Sequence, residues 1–297
     1  MLASFAVLIT MLATQSPVAE FRFPTEPIGP EAVALGSTGV ASRSDAEAVL
    51  NPASLHGAHH LSLHRFDGYA GYNGFVAAGG LRVAKPLTVG VAFRHFDYGK
   101  LVEDDLGPGT EDLDANEQAF TLTTVASLPA RIRVGAAVSH LIADYFGSIT
   151  SATVFSLGGI VPYSQEGRVG LAIRSIGGSA TNADAGTRYA VPTRLRLGAS
   201  QRFRVARETF TVALDTEFGL RRHSVADLHV GAEWKPMSAL ALRGGYESLA
   251  NPDVAGDRDG RWSAGTAFQI GPAALGIAVR FGGLEGGEEL FVGLDAF

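Results

Sequence analysis

Apolar and polar residues alternate along most of the chain after residue 60. In residues 225–235, for example, Leu228, Val230 and Trp234 share one face while Asp227 and Glu233 lie on the other. Residues 194–204, 210–218, 168–175 and 274–281 show the same alternation. A period of two residues predicts β-strands with one apolar face. We predict about fourteen strands of about ten residues, which is the length that a tilted strand needs to cross a bilayer.

The connections between these strands are sorted into two kinds. Short connections, each with a proline, lie at residues 84–86, 128–130, 235–238 and 271–272. Long polar connections rich in Gly and Asp lie at residues 98–116, 177–189 and 247–260. Tight turns on one side and long loops on the other are typical of an up-and-down barrel in a membrane.

The strand number indicates which face lies outside. A closed barrel of about fourteen strands is too wide for side chains alone to fill. We therefore expect the charged face to line the lumen and the apolar face to contact membrane lipid. The alternative is a soluble β-sandwich or propeller, but no repeat of blade length is present. We predict an all-β, transmembrane, antiparallel up-and-down barrel over residues 59–297, in the outer membrane of a diderm bacterium.

Aromatic residues near the predicted strand ends are candidates for the girdles at the two membrane interfaces. These candidates are Phe66, Tyr72, Tyr98, Trp234, Tyr246 and Trp262.

The first residues read as a targeting signal. Residues 1–13 are apolar and residues 14–19 are small or polar, which is the order of a signal peptide and its cleavage region. The run is too short to span a bilayer as a helix. We predict a signal peptide over residues 1–19, with a buried N-terminal helix as the alternative.

Residues 20–58 resemble neither a strand nor a disordered tail. They contain a helix start at Ser44-Asp45 and a short Ala-rich run that ends at Asn51-Pro52, since proline disfavours helix at the residue before it. A compact segment before a wide barrel predicts a plug.

Composition excludes several functions. The 297 residues contain no cysteine and have a net charge of -6, so neither thiol chemistry nor nucleic-acid binding is expected. Sequence motifs for a serine nucleophile, a phosphate loop or a zinc protease are missing. The histidines at 56, 59, 60 and 64 are expected to be polar residues at the rim, because a metal site needs three or four converging ligands. We predict no catalytic residue, metal or cofactor.

Charged residues on the polar strand faces are candidates for the lumen. Because an unpaired buried charge is costly, we expect them to pair across neighbouring strands, with a transport pathway as the alternative. The candidates are Arg168, Arg174, Arg194, Arg196, Asp215, Glu217 and Glu233.

Residues 34–55 resemble the N-terminal motif of the PorV/PorQ family of outer-membrane barrels. FadL-type transporters share its Asn-Pro-Ala element, and the likeness extends through several strands to cover nearly the whole mature chain. The matching positions are Ala34, Leu35, Gly36, Gly39, Asp45, Ala46, Asn51, Pro52 and Ala53.

The resemblance implies a barrel of about fourteen strands with an N-terminal plug. It also implies two functions. One is an accessory of protein export related to type IX secretion, with exported proteins or secretion-system components as partners. The alternative is a FadL-like passive channel for hydrophobic or small solutes. If both mature termini lie in the periplasm, the short turns are periplasmic and the long loops lie at the cell surface.

Overall fold

The structure is a computed structural model. It describes residues 26–42, 48–55, 59–68, 71–101, 113–145, 147–182, 186, 188–220, 226–250, 258–282 and 287–297. The predicted signal peptide and the motif residues Asp45 and Ala46 lie outside these ranges. None of the helices within them combines the length and the apolar character that crossing a membrane requires.

The described residues form one short helix and sixteen strands. Helix α1 covers Pro30–Ala34, and 3-10 turns cover Pro52–Ser54 and Pro129–Arg131. The strands are β1 His60–Asp67, β2 Asn73–Ala84, β3 Leu87–Leu101, β4 Leu113–Ser127, β5 Arg133–Tyr145, β6 Ser148–Pro162, β7 Gly167–Ile176, β8 Ser179–Asn182, β9 Arg188–Ala190, β10 Arg194–Val205, β11 Glu208–Gly219, β12 Asp227–Met237, β13 Leu240–Ala250, β14 Arg258–Ile270, β15 Ala273–Gly282 and β16 Glu288–Ala296.

Fourteen of these strands close into an antiparallel barrel. Strands β1 to β7 and β10 to β16 pair with their neighbours in sequence order, β7 pairs with β10, and β1 pairs with β16. Strands β8 and β9 form a small hairpin that pairs with the start of β6. The predicted all-β, up-and-down barrel is therefore confirmed.

The connections differ at the two ends of the barrel. We call the end with the start of β1, the end of β16 and six short connections the turn side, and the other end the loop side. Two of the predicted long connections, at residues 98–116 and 247–260, are shorter than predicted. Strands β3 and β4 continue pairing as far as Leu101 and Leu113, which leaves residues 102–112 between them. Strands β13 and β14 also pair as far as Ala250 and Arg258. The connection from β5 to β6, residues 146–147, is short although it lies on the loop side.

The side chains alternate between an apolar outer face and a polar inner face. Along β1, every second residue is buried and the residues between are exposed. Exposed apolar side chains form an outer belt that includes Leu63, Val91 and Trp262, whereas charged residues such as Arg196 and Glu217 are buried inside. A closed barrel with this belt is a membrane barrel, and its place is the bacterial outer membrane.

The girdle prediction is wrong for three of its six residues, which face the inside of the barrel. Trp234 and Trp262 are exposed on the outer face, and Tyr246 packs against Trp262 with ring centroids 4.6 Å apart. Phe66, Tyr72 and Tyr98 belong instead to a buried inner cluster. Phe66 shares the inward phase of His60 and His64 on β1, so the alternation of the strand decides its side and its position near a strand end does not.

Candidate functional site

The N-terminal segment (residues 26–42 and 48–55) lies inside the barrel. Its residues Val33, Val40, Asn51 and Ala53 are fully buried. Its helix α1 contacts β13 to β16, whereas its 3-10 turn contacts β4, β5 and β6. A segment that touches strands on opposite sides of a closed barrel must cross the lumen.

A ring of inward-facing glycines makes room for this segment. At ten positions a Cβ would lie less than 3.0 Å from an atom of the N-terminal segment, and each position is on a different strand. We call this ring the glycine seat. It consists of Gly90, Gly135, Gly158, Gly170, Gly198, Gly231, Gly245, Gly265, Gly276 and Gly293.

At one point the segment and the wall approach each other through two glycine backbones. A Cβ on Gly245 would meet the backbone of Leu35 and Gly36, and a Cβ on Gly36 would meet the backbone of Tyr246 and Val230. Gly36 also has a φ of 64°, which favours glycine. The two glycines therefore allow main chain to pack directly on main chain.

Five of the predicted lumen charges form one buried charge cluster. Arg196 is 1% exposed and contacts Asp215 and Glu217 at 3.2 Å each. Glu217 also pairs with Arg174 and, at 3.1 Å, with Arg194. Each carboxylate thus faces at least one guanidinium, which offsets the cost of burying the charges.

The charge cluster also holds the N-terminal segment. Asp215 Oδ2 accepts hydrogen bonds from the backbone N–H groups of Gly39 at 2.8 Å and Val40 at 3.0 Å. Arg196 donates to the carbonyl oxygen of Ser37. The cluster therefore satisfies backbone groups that would otherwise be unpaired in the lumen.

Further wall residues bind the turn that follows α1. The Nδ1 atom of His229 lies 3.1 Å from the carbonyl oxygen of Gly36, and Ser263 Oγ accepts from the Gly36 N–H at 3.1 Å. The hydroxyl of Ser37 donates to Glu247 at 2.6 Å. This turn is consequently fixed from β12, β13 and β14.

Two glutamates of the segment pair with arginines of the wall. Glu26 contacts Arg280 at 3.1 Å and Arg261 at 3.5 Å. Glu31 contacts Arg243 at 2.9 Å, and Arg243 also pairs with Glu233 at 2.9 Å. These pairs join the start of the segment to β12 through β15.

The Asn-Pro-Ala element stabilises the segment from within. The side-chain oxygen of Asn51 accepts from the Ala53 N–H at 2.9 Å, which caps the 3-10 turn. Its amide nitrogen donates to Val40 at 2.6 Å and to Gly159 of β6 at 3.3 Å. Asn51 therefore links the two described parts of the segment to each other and to the wall.

Arg168 and Glu233 line a cavity on the turn side of the segment. Its volume is about 260 Å³. The segment contributes apolar lining through Pro30, Leu35 and Leu50, while the wall contributes charged side chains. The lining of the cavity is thus partly apolar and partly charged.

An aromatic cluster lines the loop side of the lumen. It consists of Phe66, Tyr72, Phe96, Tyr98, Tyr145 and Phe291, with ring centroids of neighbours between 4.8 and 6.2 Å apart. Apolar residues of β4 to β6, including Leu141 and Val154, belong to the same core. Glu117, within this cluster, accepts hydrogen bonds from the hydroxyls of Tyr98 and Tyr145.

The histidines do not assemble into a metal site within the described ranges. There, no group of three or more His, Asp or Glu side chains could hold a metal ion. His64 Nε2 lies 3.0 Å from Asp295 Oδ1, and His56 is outside the described residues.

The glycine seat could not be recognised from the sequence. The glycines are visible as inward positions of the predicted strands, but a glycine can mark a bulge, a bend or a close approach. Arg243, Glu247 and Ser263 were also missed, and Arg280, on the polar face of the predicted strand 274–281, was not counted among the lumen candidates. They could have been found as inward polar residues on β13 to β15.

Comparisons with known proteins find structural similarity only. No protein-family model and no curated protein matches the sequence. The fold matches CymD, a monoaromatic hydrocarbon channel, with a TM-score of 0.67 over 92% of this chain and 98% of CymD at 14% identity. It matches the Pseudomonas putida toluene transporter TodX with a TM-score of 0.65 over 94% of this chain and 99% of TodX at 12% identity.

A Pseudomonas aeruginosa FadL homologue is similar to the same extent. Its TM-score is 0.61 over 92% of this chain and 98% of the homologue, at 11% identity. Identities this low establish the fold alone. They support the FadL-like part of the resemblance and give no support to the PorV/PorQ part. The chain therefore has the fold of the FadL-like outer-membrane barrels.

Proposed function

We propose that this chain is a passive outer-membrane channel for hydrophobic small molecules. The observation that carries the proposal is the contrast inside the lumen. The loop-side interior of β1 to β6 is mainly aromatic and aliphatic, and its carboxylate Glu117 accepts hydrogen bonds from two tyrosine hydroxyls. The charge cluster of β7, β10 and β11, in contrast, is engaged in ion pairs and in holding the N-terminal segment. An apolar solute can contact such a lining without losing hydrogen bonds.

The structural relatives support the same class of solute. CymD is described as a monoaromatic hydrocarbon channel and TodX as a toluene transporter. Both names describe the passage of a hydrocarbon, and we propose that this chain is likewise a channel and not an enzyme. A role in protein export receives no support from these comparisons.

The N-terminal segment would act as the plug of this channel. It crosses the lumen between the aromatic cluster and the turn-side cavity, and contacts ten strands through the glycine seat. A solute would enter from the loop side and meet the segment before it reaches the turn side. Opening would then require the segment or its surroundings to rearrange.

Uptake by whole cells tests the proposal. The chain is expressed in the outer membrane of a diderm host that lacks its own channel for hydrophobic compounds, and uptake of radiolabelled toluene is followed. We expect faster uptake than in cells carrying an empty vector, because the outer leaflet resists hydrophobic solutes. Equal uptake, with correctly folded barrel present in the membrane, would overturn the proposal.

One pair of adjacent residues on β5 sharpens this test. Leu141 is 1% exposed on the inner face, and Ile142 points outward. Leu141→Asn is expected to slow toluene uptake about tenfold, because an unpaired amide on an apolar route costs on the order of 1–3 kcal/mol. Ile142→Asn places the same amide outside and should leave uptake unchanged. Equal rates for the two variants would show that this inner face is not on the route.

A further inference from the structure

A buried carboxylate lies among the aromatic side chains of the loop-side lumen. Glu117 of β4 is 1% exposed. Its Oε1 atom accepts a hydrogen bond from the hydroxyl of Tyr98 on β3 at 3.1 Å, and another from the hydroxyl of Tyr145 on β5. Two phenol groups of the protein itself thus converge on one carboxylate oxygen.

The two tyrosines lie between Glu117 and the loop side. Glu117 pairs in register with Phe96 of β3 and with Ala143 of β5. Tyr98 and Tyr145 each follow these partners by two residues toward the loop-side end of their strand. Both tyrosines are half-buried, whereas Glu117 is buried. A solute that enters from the loop side therefore reaches the tyrosines before it reaches the carboxylate.

The backbone next to each tyrosine is built in a similar way. Asp97 Oδ1 accepts from the N–H of Gly99 at 2.8 Å, and Asp144 Oδ1 accepts from the N–H of Gly147 at 3.0 Å. Both glycines have a positive φ, of 79° and 80°. The pairing of β3 with β4 also shifts register directly after Asp97, and such bulges commonly aim a side chain. The direction of the two hydroxyls toward the carboxylate is therefore supported by local structure.

The surroundings of the carboxylate suit an aromatic ring. The ring centroids of Phe96 and Tyr98 are 4.9 Å apart, and those of Tyr98 and Tyr145 are 6.2 Å apart. Aromatic rings at these separations attract each other beyond the effect of the area that they bury. Ala143 and Leu141 of β5 add aliphatic surface to the same core. A small aromatic molecule that took the place of one tyrosine ring would have the same neighbours.

We propose that this site recognises phenols, which are aromatic solutes whose hydroxyl donates to Glu117 in place of a tyrosine hydroxyl. A phenol carries the same donor as a tyrosine side chain, so the exchange keeps the number of hydrogen bonds to the carboxylate unchanged. A hydrocarbon in the same place would leave the buried carboxylate one donor short, which is costly. The inference rests on the proposed channel for hydrophobic small molecules and names a class of solute for it.

Equilibrium dialysis measures the expected preference directly. The full chain is folded in lipid nanodiscs and dialysed against radiolabelled p-cresol or toluene, and the amount taken up by empty nanodiscs is subtracted. The two solutes differ by one hydroxyl. We expect p-cresol to bind about tenfold more tightly, since a hydrogen bond to a charged group contributes at least such a factor. The methyl ether of p-cresol, which lacks the donor proton, should bind like toluene.

Two substitutions separate recognition from a structural role. Glu117→Gln should reduce the preference for p-cresol to about threefold, because a hydrogen bond to a neutral acceptor is roughly half as strong. Tyr98→Phe should raise the affinity for p-cresol severalfold, because the solute no longer competes with that hydroxyl for Oε1. A tyrosine with a structural role alone would leave the affinity equal or lower it.

The matched controls make the same chemical changes on the turn side. Glu208 accepts from the indole N–H of Trp234, and Tyr163 donates its hydroxyl proton to Gln201. Glu208→Gln and Tyr163→Phe should leave the affinities for p-cresol and toluene unchanged. A change in the p-cresol preference of either control would overturn the assignment to Glu117.

Four other results would overturn the phenol site. They are equal binding of p-cresol and toluene by the native chain, a tenfold preference kept by Glu117→Gln, no gain in p-cresol binding by Tyr98→Phe, and binding of the methyl ether as tight as that of p-cresol. The proposed channel fails by a different result. Toluene uptake above the empty vector, combined with equal binding of the two solutes, refutes the phenol site alone. A preserved binding preference without uptake of either solute refutes the channel alone.

Discussion

Arg196→Leu is expected to destabilise the folded barrel by about 3–5 kcal/mol, because it leaves buried carboxylates without their guanidinium. Arg196 is the only group within ion-pair distance of Asp215 among the described residues, and it shares Glu217 with Arg174 and Arg194. It also donates to the carbonyl oxygen of Ser37, so the substitution removes one anchor of the N-terminal segment. The midpoint of unfolding in urea, followed by heat-modifiable migration of the barrel, measures the effect.

Arg204→Gln is the matched control for this prediction. Arg204 lies on the same strand β10, but its side chain is 66% exposed and its partner Glu166 is 30% exposed. A pair of this kind contributes about 0–1 kcal/mol. Similar midpoints for the two variants would show that the charge cluster does not have the energetic role described here.

The sequence predicted the barrel because its signal is repeated in every strand. The alternation of Leu228, Val230 and Trp234 with Asp227 and Glu233 fixes both the strand and its two faces, and the strand number makes the charged face the inner one. The inward placement of Arg196, Asp215 and Glu217 followed from the same alternation. No individual contact was needed for these predictions.

The contacts inside the lumen could not be predicted in this way. Alternation places Asp215 inside, but its hydrogen bonds to Gly39 and Val40 join positions 176 and 175 residues apart in the chain. The girdle prediction for Phe66 failed for a related reason. Position near a strand end indicates the height of a residue in the membrane, whereas its side is set by the register of the whole strand.

The resemblance found at the N-terminus had a structural basis. Two of the motif residues have structural roles. Asn51 caps the 3-10 turn, and Gly36 permits the close approach of the segment to β13. Such features stabilise a segment inside a wide barrel whatever the barrel carries. They therefore indicate the fold, and distinguish poorly between a secretion accessory and a channel.

Gly245→Ala is expected to displace the N-terminal segment and to raise the ion conductance of the barrel severalfold. The added Cβ would collide with the backbone of Leu35 and Gly36, which cannot move aside as a flexible side chain could. The shift would also distort the 3.1 Å hydrogen bond that the Gly36 N–H donates to Ser263 Oγ. Single-barrel conductance in planar bilayers, with proteolysis of residues 26–42 as a second measurement, tests the prediction.

Gly244→Ala is the neighbouring control, since Gly244 faces outward and its Cβ would come no closer than 3.9 Å to another residue. It should leave conductance and proteolysis unchanged. Gly158 and Gly159 on β6 provide a second pair, because a Cβ at Gly158 would collide with Asn51 while one at Gly159 has 3.8 Å of space. If both inward variants fold and conduct like the outward ones, the glycine seat does not hold the lumen closed. If only the inward variants conduct, the segment closes the lumen through main-chain packing on the wall, and any route for a solute requires that packing to loosen.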